Sequence, residues 1–146
     1  MNKLFSAGMD MKIHEYDVTT FKTVPHKEDI LSDADDDGNR TKPDERKHTK
    51  CITDLLPIPD LGLIASCSLD ATMILWKMDG LVFKSKHTCH TKGIYCLEWI
   101  DDNKLILSAG FDHDIFIWNP IVTEKIFTLK GHNHSMVGVK WLKGTN

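Results

Sequence analysis

Arginine is almost missing from this 146-residue chain: Arg40 and Arg46 are its only two, among 18 basic residues. The lysines are scattered between apolar runs and form no stripe. Nucleic-acid binding is therefore not expected, because phosphate neutralisation wants a clustered basic face and base reading favours the arginine fork. Long hydrophobic runs are also lacking: nowhere do 18 apolar residues follow one another, so no membrane-spanning helix is expected. The opening MNKLFSAGMDMK has no apolar core of the kind a secretory signal needs, and the chain reads as cytosolic. Cysteine is sparse. Cys51, Cys67, Cys89 and Cys96 lie inside apolar, strand-like runs, which fits reduced core thiols better than a disulfide framework.

What is present starts with composition: 41% hydrophobic and 27% charged residues suit one globular domain. The net charge of −3 is unevenly spread. Between residues 28 and 45 there are eight carboxylates against Arg40 and Lys42, a local −6 that leaves +3 for the remainder.

The chain also repeats itself. Ser66, Asp70 and Trp76 recur as Ser108, Asp112 and Trp118, each 42 residues later, and His48-Thr49-Lys50 recurs as His90-Thr91-Lys92. His132 follows at the same step, and Ile94, Leu97 and Trp99 are answered by Met136, Val139 and Trp141. Near the start, Ser6, Asp10 and Tyr16 keep the internal spacing, with tyrosine for tryptophan, but stand 60 residues before Ser66, Asp70 and Trp76. The excess of 18 falls between Pro25 and His48, where the acidic stretch sits, so one inserted loop accounts for it. Each period holds four short apolar runs parted by turn residues such as Pro57-Ile58-Pro59-Asp60, Asp79-Gly80 and Asp101-Asp102-Asn103. Sheets this small cannot hide both faces alone, so neighbouring units must stack.

A period of about 40 to 45 residues with four strands per unit is that of WD40 repeats, and the sequence resembles that family everywhere outside residues 26–47. The resemblance implies an all-β fold: an incomplete WD40 β-propeller of four-stranded antiparallel blades. Residues 1–25 would supply the last three strands of one blade, and 26–47 the acidic insert. Complete repeats would follow at 48–89 and 90–131, and residues 132–146 would give the first strand of a further blade, SMVGVKWL. It also implies that His48/Ser66/Asp70/Trp76 and His90/Ser108/Asp112/Trp118 form structural tetrads, with Ser6, Asp10, Tyr16 and His132 as parts of incomplete ones. In such a tetrad the aspartate of the turn accepts from turn amides and histidine, and histidine reaches the serine, whose oxygen meets the indole N–H. A Ser/His/Asp set also invites a hydrolase reading, but no G-x-S-x-G elbow surrounds Ser66 or Ser108, and a triad has no reason to recur every period. No enzyme activity is expected.

A propeller closes with 4 to 8 blades, so a chain with two complete repeats should expose unpaired edges and apolar blade faces, be poorly stable when free, and belong to a larger assembly. Met9, Leu69 and Phe111 precede the turn aspartates, at the narrow rim where partners dock in this family; they are the candidate partner-binding residues. The insert contains D-x-D-x-D-G, so Asp33, Asp35, Asp37 and Asn39 are candidate calcium ligands, the alternative being a solvated acidic loop with no cofactor at all. His87, Cys89, His90 and Cys96 resemble a zinc set but match no known ligand spacing and read as core. Function is thus expected to be protein–protein scaffolding without chemistry, the partners being the remaining blades and a large complex; the alternative is a calcium-responsive module. SAGFDHDIFIWNP followed by a Lys-Gly-His turn is similar to WD-repeat proteins of cilia and flagella, which adds the axoneme or cytoskeleton to the cytoplasm as a location.

Overall fold

A computed structural model describes residues 3–25, 46–88, 90–122 and 124–144. Among the described residues, eleven strands in three antiparallel sheets make up the regular structure, together with a 3-10 turn at Pro59–Leu61. The first sheet holds β1 (Lys3–Ala7), β2 (Ile13–Asp17) and β3 (Lys22–Val24). The second holds β4 (Ile52–Ile58), β5 (Leu63–Ser68), β6 (Met73–Lys77) and β7 (Val82–His87). The third holds β8 (Ile94–Ile100), β9 (Leu105–Gly110), β10 (Ile115–Asn119) and β11 (Glu124–Leu129). In each sheet the strands pair in chain order as a meander.

Burial explains the composition of each strand. β5, LIASCS, is buried at every position: it lies between β4 and β6 in its sheet and packs on the third sheet, and a strand so placed reads as a near-continuous apolar run. β11 lies at the outer edge, and Ile126, Phe127 and Leu129 remain exposed there. The core forms where the second sheet meets the third: Leu63, Ala65, Cys67, Met73 and Leu75 pack against Ile94, Leu97, Ile106, Phe116 and Trp118. Burial pushes the Cys67 thiol up to about 12, which suits an inert core residue.

The 42-residue period is visible in backbone irregularities as well as side chains. Register shifts fall at Ile52/Asp54 in the second sheet and at Ile94/Cys96 in the third, and again at Leu75/Trp76 and Ile117/Trp118. Left-handed turn residues recur in the same way: Gly62 with Lys104, Met11 with Ala71 and His113, and Phe21 with Leu81. A unit specified down to its bulges is a repeated object, and only its side chains vary.

Two details differ from expectation. Pro57 and Ile58, read from sequence as turn residues, belong to β4, with Ile58 fully buried. β4 pairs only with β5, so the missing N–H of Pro57 can face away from the ladder, where proline is tolerated. The stretch 135–142, expected as a strand, carries none. A ladder needs a partner strand from the same sheet, and none is present among the described residues; one backbone bond, Met136 N–H to the Gly110 carbonyl at 2.9 Å, ties it to the third sheet.

Candidate functional site

The repeated polar residues converge inside the second and third sheets. In the third, β9 presents Ser108, β10 presents Trp118, the β9–β10 turn presents Asp112, and the segment before β8 presents His90. The Trp118 indole donates to Ser108 Oγ at 2.7 Å. Ser108 Oγ lies 2.8 Å from His90 Nε2, and His90 Nδ1 lies 2.6 Å from Asp112 Oδ2. Read as one network, each group donates to the next: indole to serine, serine hydroxyl to Nε2, Nδ1–H to carboxylate. The carboxylate also accepts from the Thr91 amide, the Thr91 hydroxyl and the Lys92 amide.

The second sheet repeats the pattern with one substitution. Trp76 donates to Ser66 Oγ at 2.9 Å, Ser66 Oγ is 2.8 Å from His48 Nε2, and His48 Nδ1 is 3.3 Å from Asp70 Oδ2. Thr72 intervenes, its hydroxyl 2.9 Å from His48 Nδ1 and donating to Asp70 Oδ1 at 2.6 Å. The slot of Thr72 holds Asp114 in the third sheet, where a shorter direct histidine–aspartate bond replaces the hydroxyl link. Thr49 and Thr91, whose amides cap the turn aspartates, went unassigned in the sequence reading although they recur at the same period.

Charge follows from this geometry. Burial alone would raise Asp70, but hydrogen bonds from His48, Thr72 and the Thr49 amide outweigh it and hold the carboxyl well below its ordinary range. At Asp112 burial is likewise overcome, by Thr91, His90 and the Lys92 amide. His90 is lowered, chiefly by burial and against the pull of Asp112, so the imidazole is kept neutral. Ser66 and Ser108 have no exposed surface, and each oxygen already accepts an indole proton. No substrate can reach them, and the arrangement fastens strands together.

The first sheet holds only a remnant. Ser6 and Tyr16 are 3.3 Å apart in an exposed setting. Asp10 takes the Lys12 amide at 3.2 Å and pairs with His14 at 3.4 Å, and it is lowered mainly by that amide. His132 is exposed, and its side chain meets no serine or aspartate among the described residues.

The three rim residues are placed at matching turn positions with unequal cover. Met9 is 86% exposed, while Leu69 and Phe111 are half-buried. The next sheet's Gly93 lies so close to Leu69 that an added methyl would sit 3.0 Å from its Cα. Phe111 meets Tyr95 edge-on at 4.7 Å, making an aromatic pair at the rim. Tyr95 was not singled out from sequence, because nothing there showed which face of β8 it would take.

The His87, Cys89, His90 and Cys96 stretch, read from sequence as core, has its described side chains engaged in separate contacts. His87 stacks edge-on against Trp118 at 5.2 Å and contacts Ser85, His90 serves its relay, and Cys89 lies outside the described residues. Among the described residues no group of three or more His, Cys, Asp or Glu is placed to hold a metal. Asp33, Asp35, Asp37 and Asn39 lie outside the described residues. No helix among the described residues is long and apolar enough to cross a membrane.

Known proteins share this repeat. The family described as WD domain, G-beta repeat matches residues 44–77 and 82–119. Cilia- and flagella-associated protein 337 B of Tetrahymena thermophila is 37% identical over 102 residues, covering 70% of this chain and 8% of that protein. The chromatin assembly factor 1 FAS2 homolog of Oryza sativa is 29% identical over 100 residues, covering 64% of this chain and 20% of its own length. The chain thus spans a minor part of the curated relatives it matches. A solved structure of U3-55K superposes with a TM-score of 0.73 at 18% identity, over 91% of this chain and 37% of that one.

Proposed function

The chain belongs to the WD40-repeat family, and from that premise we propose that it is a protein–protein interaction scaffold without chemistry of its own, forming part of a propeller inside a larger assembly. One observation carries this reading: the repeated Ser, His and Asp groups are buried and internally satisfied, while large apolar side chains stay exposed at the margins of the stack. Ile126, Phe127 and Leu129 on β11, and Val137 and Leu142 beyond it, are each at least 45% exposed. Apolar surface of this kind marks a contact waiting for a partner. WD40 folds serve many assemblies, so the fold supports the class of function and the relatives narrow it. The ciliary protein supports an axonemal or cytoskeletal setting, and the chromatin assembly relative supports a nuclear one; the higher identity of the former favours the axoneme.

Met9, Leu69, Phe111 and, added from the structure, Tyr95 form the docking rim in this proposal. Affinity capture of the full chain from ciliated cells, read by quantitative mass spectrometry, tests it. A reproducible protein set bound by the wild type and depleted by Phe111→Ser is the expected result. An unaltered set would remove the rim assignment, and the lack of any reproducible set would remove the scaffold.

A further inference from the structure

On the rim opposite the relays, a groove of about 420 Å³ opens between the second and third sheets. The β4–β5 turn contributes Leu61 and Gly62, and the start of β5 Leu63; β6 and the turn after it contribute Lys77 and Asp79; β7 contributes Lys84, and the β10–β11 turn Ile121. Antiparallel pairing puts all these turns at the end away from Asp70 and Asp112.

Its charge is unusual for a joint between sheets. Lys84 is half-buried and reaches across the joint, its ammonium donating to the Pro120 carbonyl at 2.6 Å. Burial holds that ammonium below the usual lysine range, and the charge of Lys77 adds to the effect, so the two cations feel one another. Among the described residues neither is in an ion pair, and the one carboxylate in the lining, Asp79, contacts neither. Two like charges beside an apolar wall repel one another, and an anion set between them would relieve that repulsion. One of the three donors of Lys84 is used, which leaves two.

The doublet is also no device of the repeat. One period away, Lys77 is replaced by Asp17 and Asn119, and Lys84 by Val24 and Ile126. A requirement of sheet stacking would recur, as the bulges and relays do.

We propose that this groove binds an extended acidic segment of a partner protein, one carboxylate set between Lys77 and Lys84 and the adjoining aliphatic side chain laid on Leu61 and Ile121. Ile121 is 63% exposed and stands ready for such a side chain. Carboxylate recognition by a lysine pair is electrostatic and salt-sensitive, and the apolar wall adds selectivity for a peptide over a bare anion. The wall and Asp79 disfavour nucleic acid, which would want a longer basic track. This site lies away from the Met9, Leu69 and Phe111 rim, so it stands or falls independently of that rim.

The test is fluorescence polarisation of the full chain with a labelled peptide Gly-Ser-Leu-Asp-Leu-Glu-Gly. Its Asn/Gln counterpart and a single-stranded oligonucleotide of matched charge are run beside it at low and high salt. The acidic peptide binds the wild type at low salt, and Lys77→Glu and Lys84→Met each weaken it at least about fivefold, the loss of a charge-assisted contact. Lys77 is exposed, so its variant keeps the fold even where Lys84→Met disturbs the joint; circular dichroism checks both. No binding of the acidic peptide would overturn the proposal. So would equal binding of the amide counterpart, unchanged binding by Lys77→Glu, or an oligonucleotide that binds as tightly as the peptide.

Discussion

Replacing Ser108 with alanine removes a single oxygen and isolates two buried groups. Trp118 is 2% exposed and His90 5% exposed, so neither the indole N–H nor His90 Nε2 can turn to solvent when Ser108 Oγ is gone. The methyl that remains fills most of the space, leaving no room for a bridging water. Each unpartnered buried group costs about 1–3 kcal/mol, so the substitution should cost about 2–4 kcal/mol in all. At about 3 °C per kcal/mol for a chain of this size, the melting temperature should fall by roughly 6–12 °C.

Ser66→Ala in the second sheet should cost less, because Trp76 is only half-buried and its N–H has a route to water. Ser6→Ala should cost under about 0.5 kcal/mol, since Ser6 and its contact to Tyr16 are exposed. Urea melts followed by tryptophan fluorescence and circular dichroism give the order Ser108, then Ser66, then Ser6. A double-mutant cycle with Trp118→Phe checks the cause: with no indole proton to satisfy, Ser108→Ala should cost about 1 kcal/mol less. Equal losses for Ser108→Ala and Ser6→Ala would refute the claim that the relays fasten the sheets.

Three other outcomes are expected. His90 and His87 are both lowered mainly by burial, so as pH falls below about 6.5 the unfolded chain takes up protons first and stability declines; a second decline follows below about 4, where Asp70 and Asp112, both lowered, are forced toward protonation. A melting temperature that stays flat from neutral pH to about 5 would contradict the histidine part. Gly110→Ala should destabilise by about 3 kcal/mol or more, since its Cβ would lie 2.2 Å from the Gly93 carbonyl oxygen; Gly62→Ala, in open space but at φ 61°, should lose only about 1 kcal/mol, both read from denaturant midpoints. Calorimetric titration of the full chain with calcium separates a solvated acidic loop, which gives no saturable heat at millimolar ion, from a ligand set at Asp33, Asp35, Asp37 and Asn39, whose heat Asp35→Asn should abolish.

The fold was legible because the repeat is written twice in full. Ser66 with Ser108 and Trp76 with Trp118 recur at one spacing, and a structure built of stacked copies must put them at like positions. The exposed first-sheet set was half legible: Tyr16 in the tryptophan slot marked it as a variant of the relay, but nothing showed that His14 would turn to Asp10. What stayed hidden depends on contacts between units. Nothing in the spacing of Lys77, Lys84 and Ile121 shows that they share a groove, because Ile121 arrives from the neighbouring sheet.

The joints between sheets show why such features escape a periodic reading. A repeat constrains what lies inside the unit, where both complete copies close the same relay, but each joint need only be complementary once. At the joint of the second and third sheets, Asp54 Oδ2 accepts the Leu97 amide at 2.9 Å and the Thr53 hydroxyl donates to the Ile94 carbonyl at 2.7 Å. One period on, Cys96 occupies the slot of Asp54 and meets the Val139 amide through sulfur, a much weaker acceptor, while Lys140 bridges to Glu98 at 2.5 Å and Lys143 to Asp102 at 3.1 Å on the exposed side. The same position is thus strong at one joint and weak at the next. Beyond the buried Met136, residues 135–144 are thus held by contacts worth little in water and leave Val137 and Leu142 exposed, whereas the second and third sheets hold one another through a buried core and direct polar links. Asp54→Ala should therefore loosen the central joint, and Cys96→Asp should tighten the outer one, an exchange of strength between two slots that hydrogen exchange at the Leu97 and Val139 amides would report directly. Protection unchanged at both amides would mean that apolar packing alone sets the joints.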